Sequence, residues 1–428
     1  MFLAGLLWLA GYLRRESVPG PVARSAWPAL LLLALWLLFL LLQWVPLPAE
    51  IVKLLSPQAA AAHAGADYLA PNRLITLSLD PHATQVFWLK SCAYAATFAL
   101  TLVLVHGRAR LGWLCLAIVF AGLLQAFYGS LMHLAKMDGE SFGMPIPHAA
   151  QASGSYVNRN HLAGLLEMSL AVGIGLMIGQ LEDRPRRSWR QFLQDTAELL
   201  ISRKAVLRLV LVIMVIGLVM THSRMGNTAF FASLLVAGVI ALLLSRHAPR
   251  GTVILISSLI AIDVLIIGAW FGLERTVTRI AETTMTDVEE RVDPAIYAAQ
   301  IFQDFPLFGT GGGTFYTAYT RYRGQDIGAF YDHVHNDYMQ FLTESGAIGV
   351  ALLGLLVAGT LACALFAQLR RRDPVLRGTA FGVVMGMIAI GIHSTVDFNL
   401  QIPANAFVFT ILLAMGWLSL YLHGNGNR

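Results

Sequence analysis

The chain has 428 residues, 57% of them hydrophobic and 13% charged, with a mean hydropathy of +0.64. A soluble domain of this length has no interior large enough to hide so much apolar surface, so the composition excludes one and predicts a polytopic membrane protein. The formal charge of +5 would suggest a nucleic-acid partner in a soluble chain; here the basic residues stand in short segments between apolar runs, where they report topology instead.

Crossing roughly 30 Å of hydrocarbon takes about 20 apolar residues. Residues 1–13 are apolar but short, lack the basic leader and cleavage site of a signal peptide, and read as a short first span. Further spans are predicted near 27–45, 84–105, 111–134, 157–180, 206–222, 227–244, 251–271, 337–367, 376–395 and 403–422. The expected fold is therefore all-α and polytopic, with about 11 transmembrane helices (10–12). Residues 1–150 supply N-terminal helices and 151–428 a core. Cys92, Cys115 and Cys363 all fall inside apolar runs, which argues against a disulfide or zinc framework.

Alternate loops carry the positive charge: Arg14, Arg15 and Arg24; Arg108 and Arg110; then "EDRPRRSWRQFLQDTAELLISRKAVLR", "SRHAPRG" and "LRRRDPVLR". By the positive-inside bias these are cytoplasmic. The opposite loops (46–83, 135–156, 223–226, 272–336 and 396–402) are then extracytoplasmic, and 272–336 is polar enough to form a small helical cap between the spans near 251–271 and 337–367.

Ionisable residues collect on that side. "SYVNRNHLAGLLEM" places Arg159 and His161 at the end of one span with Glu167 deeper, and "MTHSRMGN" places His222 and Arg224 in a tight turn. Arg275, Arg279 and Arg291 belong to the cap. "HVHNDYMQFLTESGAIG" contributes His333, His335, Asn336, Asp337 and Glu344. In that stretch Asp337, Gln340 and Glu344 form one helical stripe. "GIHSTVDFNLQIPANA" adds His393 and Asp397, four residues apart. Taken singly, each has a structural reading. Arg159 or Arg224 would snorkel, and His161 and His393 would bond between helices. Asp337 with Gln340 would form a capping box. Glu167 and Asp263 would pair with an Arg of a neighbouring helix. Together they mark a site, because intramembrane charge is costly and lines pathways or binding sites.

Several arginines suit a multiply charged anion at membrane level, since guanidinium forks hold phosphate oxygens bidentately. Asp293-Pro294 reads as an N-cap followed by Pro at the first helical position, which would set Arg291 beside a helix N-terminus. "GTGGGTF" reads as a phosphate cradle or, more simply, a flexible loop. An unperturbed imidazole has a pKa of about 6.5, which makes His335 a residue type suited to general-base work on a hydroxyl. His333 and His335, two apart with acids nearby, leave zinc as a weaker reading, since neither the H-E-x-x-H helix nor a cysteine ligand set is present.

The stretch "HVHNDYMQFLTESGAIG" resembles the His-Asn-Asp-Tyr-Leu signature of the O-antigen ligase and O-antigen polymerase superfamily. "THSRMGN" is similar to its Ser-Arg-Gly turn, and "RVDPAIYAAQIFQDFPLFGTGGGTF" to its Arg helix ending in a Pro-Leu-Phe-Gly turn. "NRNHLAGLLEM" and "HSTVDFNLQIPANA" resemble members from exopolysaccharide clusters. The likeness spans about 150–410, in family order. It implies a bacterial inner-membrane glycosyltransferase, metal-independent and inverting, needing no cofactor, with its active site on the periplasmic side. Such an enzyme passes a glycan from undecaprenyl pyrophosphate to an acceptor hydroxyl of lipid A–core or of a lipid-linked glycan. It also implies His335 as base and Arg224 and Arg291 as pyrophosphate binders; the polar cluster read above adds Arg159, His161, Asn336, Asp337, Glu344, His393 and Asp397 as supporting residues. Two departures stand out: Met225 separates Arg224 from Gly226, and "NRNH" is not general among the ligases. Ligase, polymerase and protein O-glycosylation share this chemistry. A lipid-linked glycan flippase, the rival of another class, should show internal repeats and polar residues through the whole membrane depth, and neither is apparent.

Overall fold

The computed structural model describes residues 10, 11, 14, 21–64, 74–137, 139–141, 144–146, 151–180, 203–244, 257, 258, 285–324 and 331–423. Ten long helices organise them: α1 (Trp27–Trp44), α2 (Pro81–Leu104), α3 (Arg108–Leu134), α4 (Arg159–Gly179), α5 (Arg203–Met220), α6 (Arg224–Leu244), α7 (Met285–Asp304), α8 (Asp337–Arg370), α9 (Pro374–His393) and α10 (Pro403–Tyr421). Eight of them are long and apolar enough to cross a membrane, and α5 holds a shorter apolar stretch, Ala205–Met220. The protein is an all-α polytopic membrane protein, with one small ribbon pairing Gly139–Ser141 with Met144–Ile146. The spans expected at 1–13 and 251–271 lie outside the described residues almost entirely, as do Asp263, Arg275 and Arg279.

The centre of the bundle is α4 packed on α9. Small residues let the two backbones approach as hydrophobic attraction in lipid cannot. A Cβ on Gly175 would stand 2.3 Å from the Gly378 carbonyl oxygen, and one on Gly382 2.7 Å from that of Ala171. The close, antiparallel contact aligns the buried Glu167 of α4 with the buried His393 of α9. At the opposite end of the bundle, Arg108 pairs with Asp373 at 2.7 Å, and Asp373 caps α9 by accepting from the Val375 and Leu376 N–H groups. Arg371 bonds the Leu420 carbonyl there. The described basic loops thus lie at the end away from His335.

The cap expected from 272–336 takes material from two loops. Its small core joins Val52, Ile75 and Leu77 of the first loop to Ile301, Phe305 and Tyr319 of the second. Leu47 and Ile75 pair as a bridge, and the Leu79 N–H bonds the Thr310 carbonyl. Two boundaries differ from expectation. Asp293-Pro294 does not open a helix: α7 begins at Met285 and carries Pro294 inside it, so the capping reading of Asp293 is wrong. The span read as 337–367 is interrupted at Gly346, whose φ of 60° and ψ of −171° are not helical. The Pro306–Gly309 turn docks in that break. The Ala347 and Ile348 N–H groups bond the Pro306 and Leu307 carbonyls, and a Cβ on Gly346 would lie 2.4 Å from the Leu307 carbonyl carbon. The polar stripe therefore occupies a short helical segment of its own, before the apolar part of α8 begins.

Candidate functional site

His335 immediately precedes the cap of α8. Asn336 is the N-cap: its Oδ1 accepts from the Met339 N–H at 3.1 Å and its Nδ2 donates to the Thr395 carbonyl. Asp337 is not the cap. It is the first helical residue, buried, and its Oδ2 accepts from Ser394 Oγ at 2.8 Å and the Leu400 N–H at 3.0 Å. Its own N–H bonds the Ser394 and Asp397 carbonyls, so Asp337 clamps the start of α8 to the 394–400 segment. The capping box fails because Gln340 is used elsewhere. Its Oε1 accepts from the Val334 N–H, and its Nε2 donates to His333 Nδ1 at 2.8 Å and to Glu344 Oε1.

Held on both sides, His335 adopts φ +56°. That conformation is uncommon for a residue with a Cβ and persists only where surrounding contacts over-determine it. It turns the imidazole toward Phe398, a residue that sequence reasoning passed over. Three histidine rings surround this phenyl: His333 stacked at 4.4 Å, His161 edge-on at 4.7 Å and His335 edge-on at 4.8 Å between centroids. Tyr331 stands edge-on to His335 at 6.2 Å.

Behind Phe398 runs a buried chain of acids and imidazoles. Asp397 Oδ1 lies 3.4 Å from His161 Nε2, and Oδ2 lies 4.0 Å from His393 Nε2. His393 Nδ1 meets Glu167 Oε1 at 2.7 Å, with both side chains fully buried. Glu167 thus pairs with a histidine of α9 and not with the arginine expected of it. Burial pushes the Asp397 carboxyl up. The His161 hydrogen bond and charge, then His393, more than offset this and hold it at about 2. Burial lowers the His333 imidazole, against the raising effects of Asp332 and the Gln340 bond, and His335 and His161 lower it further.

Arg224 is the first residue of α6 and is exposed. The turn before it is set by His222 at φ +53°, and Ser223 Oγ accepts from the Gly226 N–H at 3.1 Å. Gly226, displaced one position by Met225, makes a close approach: a Cβ there would stand 2.5 Å from the Ala163 Cβ and 3.2 Å from Glu167 Oε1. The Arg224 turn therefore rests on the same buried pair that, through Asp397, sits behind Phe398 and His335. Arg159 bonds Gln151 at the start of α4, where Asn158 caps the helix. The side chain of Arg291 lies outside the described residues; its backbone belongs to α7.

Glu344 and the glycine-rich turn serve each other. The Gly313 N–H donates to Glu344 Oε2 at 2.9 Å, the Phe315 N–H donates to Oε1 at 3.3 Å, and Gln43 Oε1 takes the Gly312 N–H. Gly309, Gly311 and Gly313 all have positive φ. These N–H groups already have protein acceptors, so "GTGGGTF" is an ordered turn built on Glu344, neither a phosphate cradle nor a flexible loop. Gln43 was signalled in the sequence by an amide at the end of a wholly apolar helix, and Lys90 by a charge inside α2. Among the described residues, no three His, Cys, Asp or Glu side chains are grouped closely enough to hold a metal ion.

Residues 209–354 match the family model described as O-antigen ligase. The match includes Arg224, Arg291, His335, Asn336, Asp337 and Glu344 and stops short of His161, Glu167, His393 and Asp397. Comparison with curated proteins gives no match.

Proposed function

From the match of residues 209–354 to the O-antigen ligase family model, we propose that the chain is a glycosyltransferase. It moves a glycan from undecaprenyl pyrophosphate to an acceptor hydroxyl at the periplasmic face of the bacterial inner membrane. His335 is the general base: it stands outside the hydrogen-bonded spiral of α8, half-buried, with its ring fixed against Phe398 and Tyr331. Attack of the acceptor oxygen on the anomeric carbon opposite the departing pyrophosphate inverts the configuration, and the imidazole takes the hydroxyl proton as the new bond forms. Arg224 and Arg291 neutralise the pyrophosphate in place of a metal ion, and preorganised charge of this kind acts where charge develops. Asp337 and Asn336 hold the turn that carries the base. The ordered, non-glycine φ of His335 within the matched segment is the observation that carries this reading.

The test compares two histidines two residues apart. His335→Ala should lower transfer by a hundred- to ten-thousand-fold, the usual worth of a general base, with donor binding and protein level nearly intact. His333→Ala should cost far less, since its Nδ1 is occupied by Gln340 and its ring serves as packing on Phe398. An active His335→Ala enzyme, or one that has merely stopped binding donor, would move the base elsewhere.

A further inference from the structure

The break in α8 is completed by a segment from elsewhere in the chain. An uninterrupted helix would join the Ala347 and Ile348 N–H groups to the Thr343 and Glu344 carbonyls. Here those N–H groups bond the Pro306 and Leu307 carbonyls, and the two freed carbonyls accept from the Thr310 and Gly311 N–H groups. Residues 306–311 are thus a strap set into the helix. A Cβ on Gly309 would lie 2.4 Å from the Glu344 carbonyl carbon, so the fit leaves no slack. Gln43, near the end of α1, holds the strap in place, and it is buried. Its Nε2 donates to the Phe308 carbonyl at 2.7 Å and to the Glu344 carbonyl at 3.0 Å, and its Oε1 accepts from the Gly312 N–H at 3.1 Å. One amide therefore grips both α8 and the strap. Four residues earlier, on the same face of α1, the Phe39 ring stacks on that of Phe308 with centroids 6.2 Å apart.

The strap follows directly on α7, whose backbone carries Arg291. His335 is anchored elsewhere, through Asn336 and Asp337 to residues 394–400. Ile301 and Phe305 of α7 share a small apolar core with Val334, but apolar contact is non-directional and does not fix a register. The directed bonds are those of the strap. At the helical rise the stretch from Arg291 to Asp304 is about 20 Å long, so a tilt of about 5° at the strap displaces Arg291 by roughly 2 Å. We propose that Gln43 is a positioning residue for transfer: by locking the strap into the break in α8, it fixes the helix of Arg291 relative to His335. The proposal rests on the transferase reading and adds to it a residue of α1 that touches no substrate and lies outside the matched segment.

Gln43→Met keeps the length of the side chain and removes all three bonds. It should lower kcat/KM for the donor by about tenfold to a hundredfold, the scale of an ångström-sized misplacement. In an Arg291→Ala background the same change should cost less than about threefold, whereas in an Arg224→Ala background the full loss should persist. A merely structural residue would lower activity by one factor in all three backgrounds, and that result overturns the proposal. Phe39→Leu loosens the strap from its aromatic side and should repeat the pattern more weakly, so it carries the test if Gln43→Met does not fold. Hydrogen exchange reads the joint without turnover. In Gln43→Met, peptides covering 306–315 and 344–350 should exchange faster while one covering 380–390 of α9 holds its rate. Unchanged exchange at the joint, or faster exchange in all three, overturns the proposal while transfer by the unmodified protein leaves the transferase reading standing. Absence of transfer by the unmodified protein overturns that reading and this role of Gln43 with it.

Discussion

Replacing Glu167 by Leu should destabilise the protein more than replacing Glu167 and His393 together. The two side chains are fully buried and meet at 2.7 Å, on helices whose glycine contacts leave little room to relax. Removing one partner strands the other in a site of low dielectric, which costs about 3–5 kcal/mol. Removing both abolishes the pair and its desolvation cost at once. In membrane proteins such side-chain bonds have net couplings averaging about 0.6 and reaching about 1.7 kcal/mol, so the double variant should lose no more than about that. Asp397 limits the recovery, because without His393 it relies on His161 and the Phe398 N–H alone. The assay is a double-mutant cycle on reversible unfolding in mixed micelles, with Glu167→Leu, His393→Leu and the pair. Costs that simply add would show that the two residues are independent, and would refute the placement of this pair as the junction between the Arg224 turn and the Phe398 platform. The folded double variant should still transfer glycan slowly, because Gly226 and Asp397 both lose the surface they rest on.

Three further outcomes follow from the site. Arg224→Ala should weaken donor binding and cost about 2–4 kcal/mol of transition-state stabilisation, with Arg224→Lys rescuing poorly because an ammonium lacks the bidentate fork; full activity of the Lys variant would reduce Arg224 to an interfacial anchor. Because His333 is held below its ordinary pKa, the unfolded chain takes up a proton there before the folded one does. Stability should therefore fall as pH drops below about 6.5, and His333→Phe, which keeps a ring on Phe398, should flatten that part of a Tm-against-pH curve. Transfer by purified protein in excess EDTA should match that in buffer, and loss restored by zinc or magnesium would replace the arginine-based mechanism with a metal-based one.

Periodicity and apolar runs placed the described spanning helices to within a few residues, because lipid imposes one length and one pattern on every span. The side-chain partners were far less legible. Glu167 and His393 are 226 positions apart, and nothing local to either says that a glycine contact lower in the bundle brings them together. Phe398 reads in sequence as one more aromatic near an interface, and only the fold shows three imidazoles around it. The break at Gly346 was hidden because the apolar run continues through it, while the docking Pro306–Gly309 turn lies forty residues upstream in a segment read as cap. The misreading of Asp293-Pro294 came from a local rule that tertiary context overrode. The glycine-rich turn needed Glu344 and Gln43 in place before its N–H groups could be assigned.

The family match and the buried chain divide the labour of the site. The groups proposed to touch substrate, His335 and Arg224, fall within residues 209–354, on turns whose backbones leave the helical path. The groups that hold those turns, Glu167, His393, Asp397 and Phe398, lie outside the match, on α4, on α9 and in the 394–402 segment. A turn carrying an imidazole at φ +56° keeps that conformation only if its neighbours over-determine it. Here that support comes from Asp337 and Asn336, bonded across to residues 394–400, and from Phe398, whose preceding residue Asp397 is fixed by two histidines. The geometry of the base is thus set by segments that make no chemistry of their own. Changes confined to α4 or α9, far along the chain from His335, should then alter the rate of transfer through the positions of the His335 ring and of the Arg224 turn.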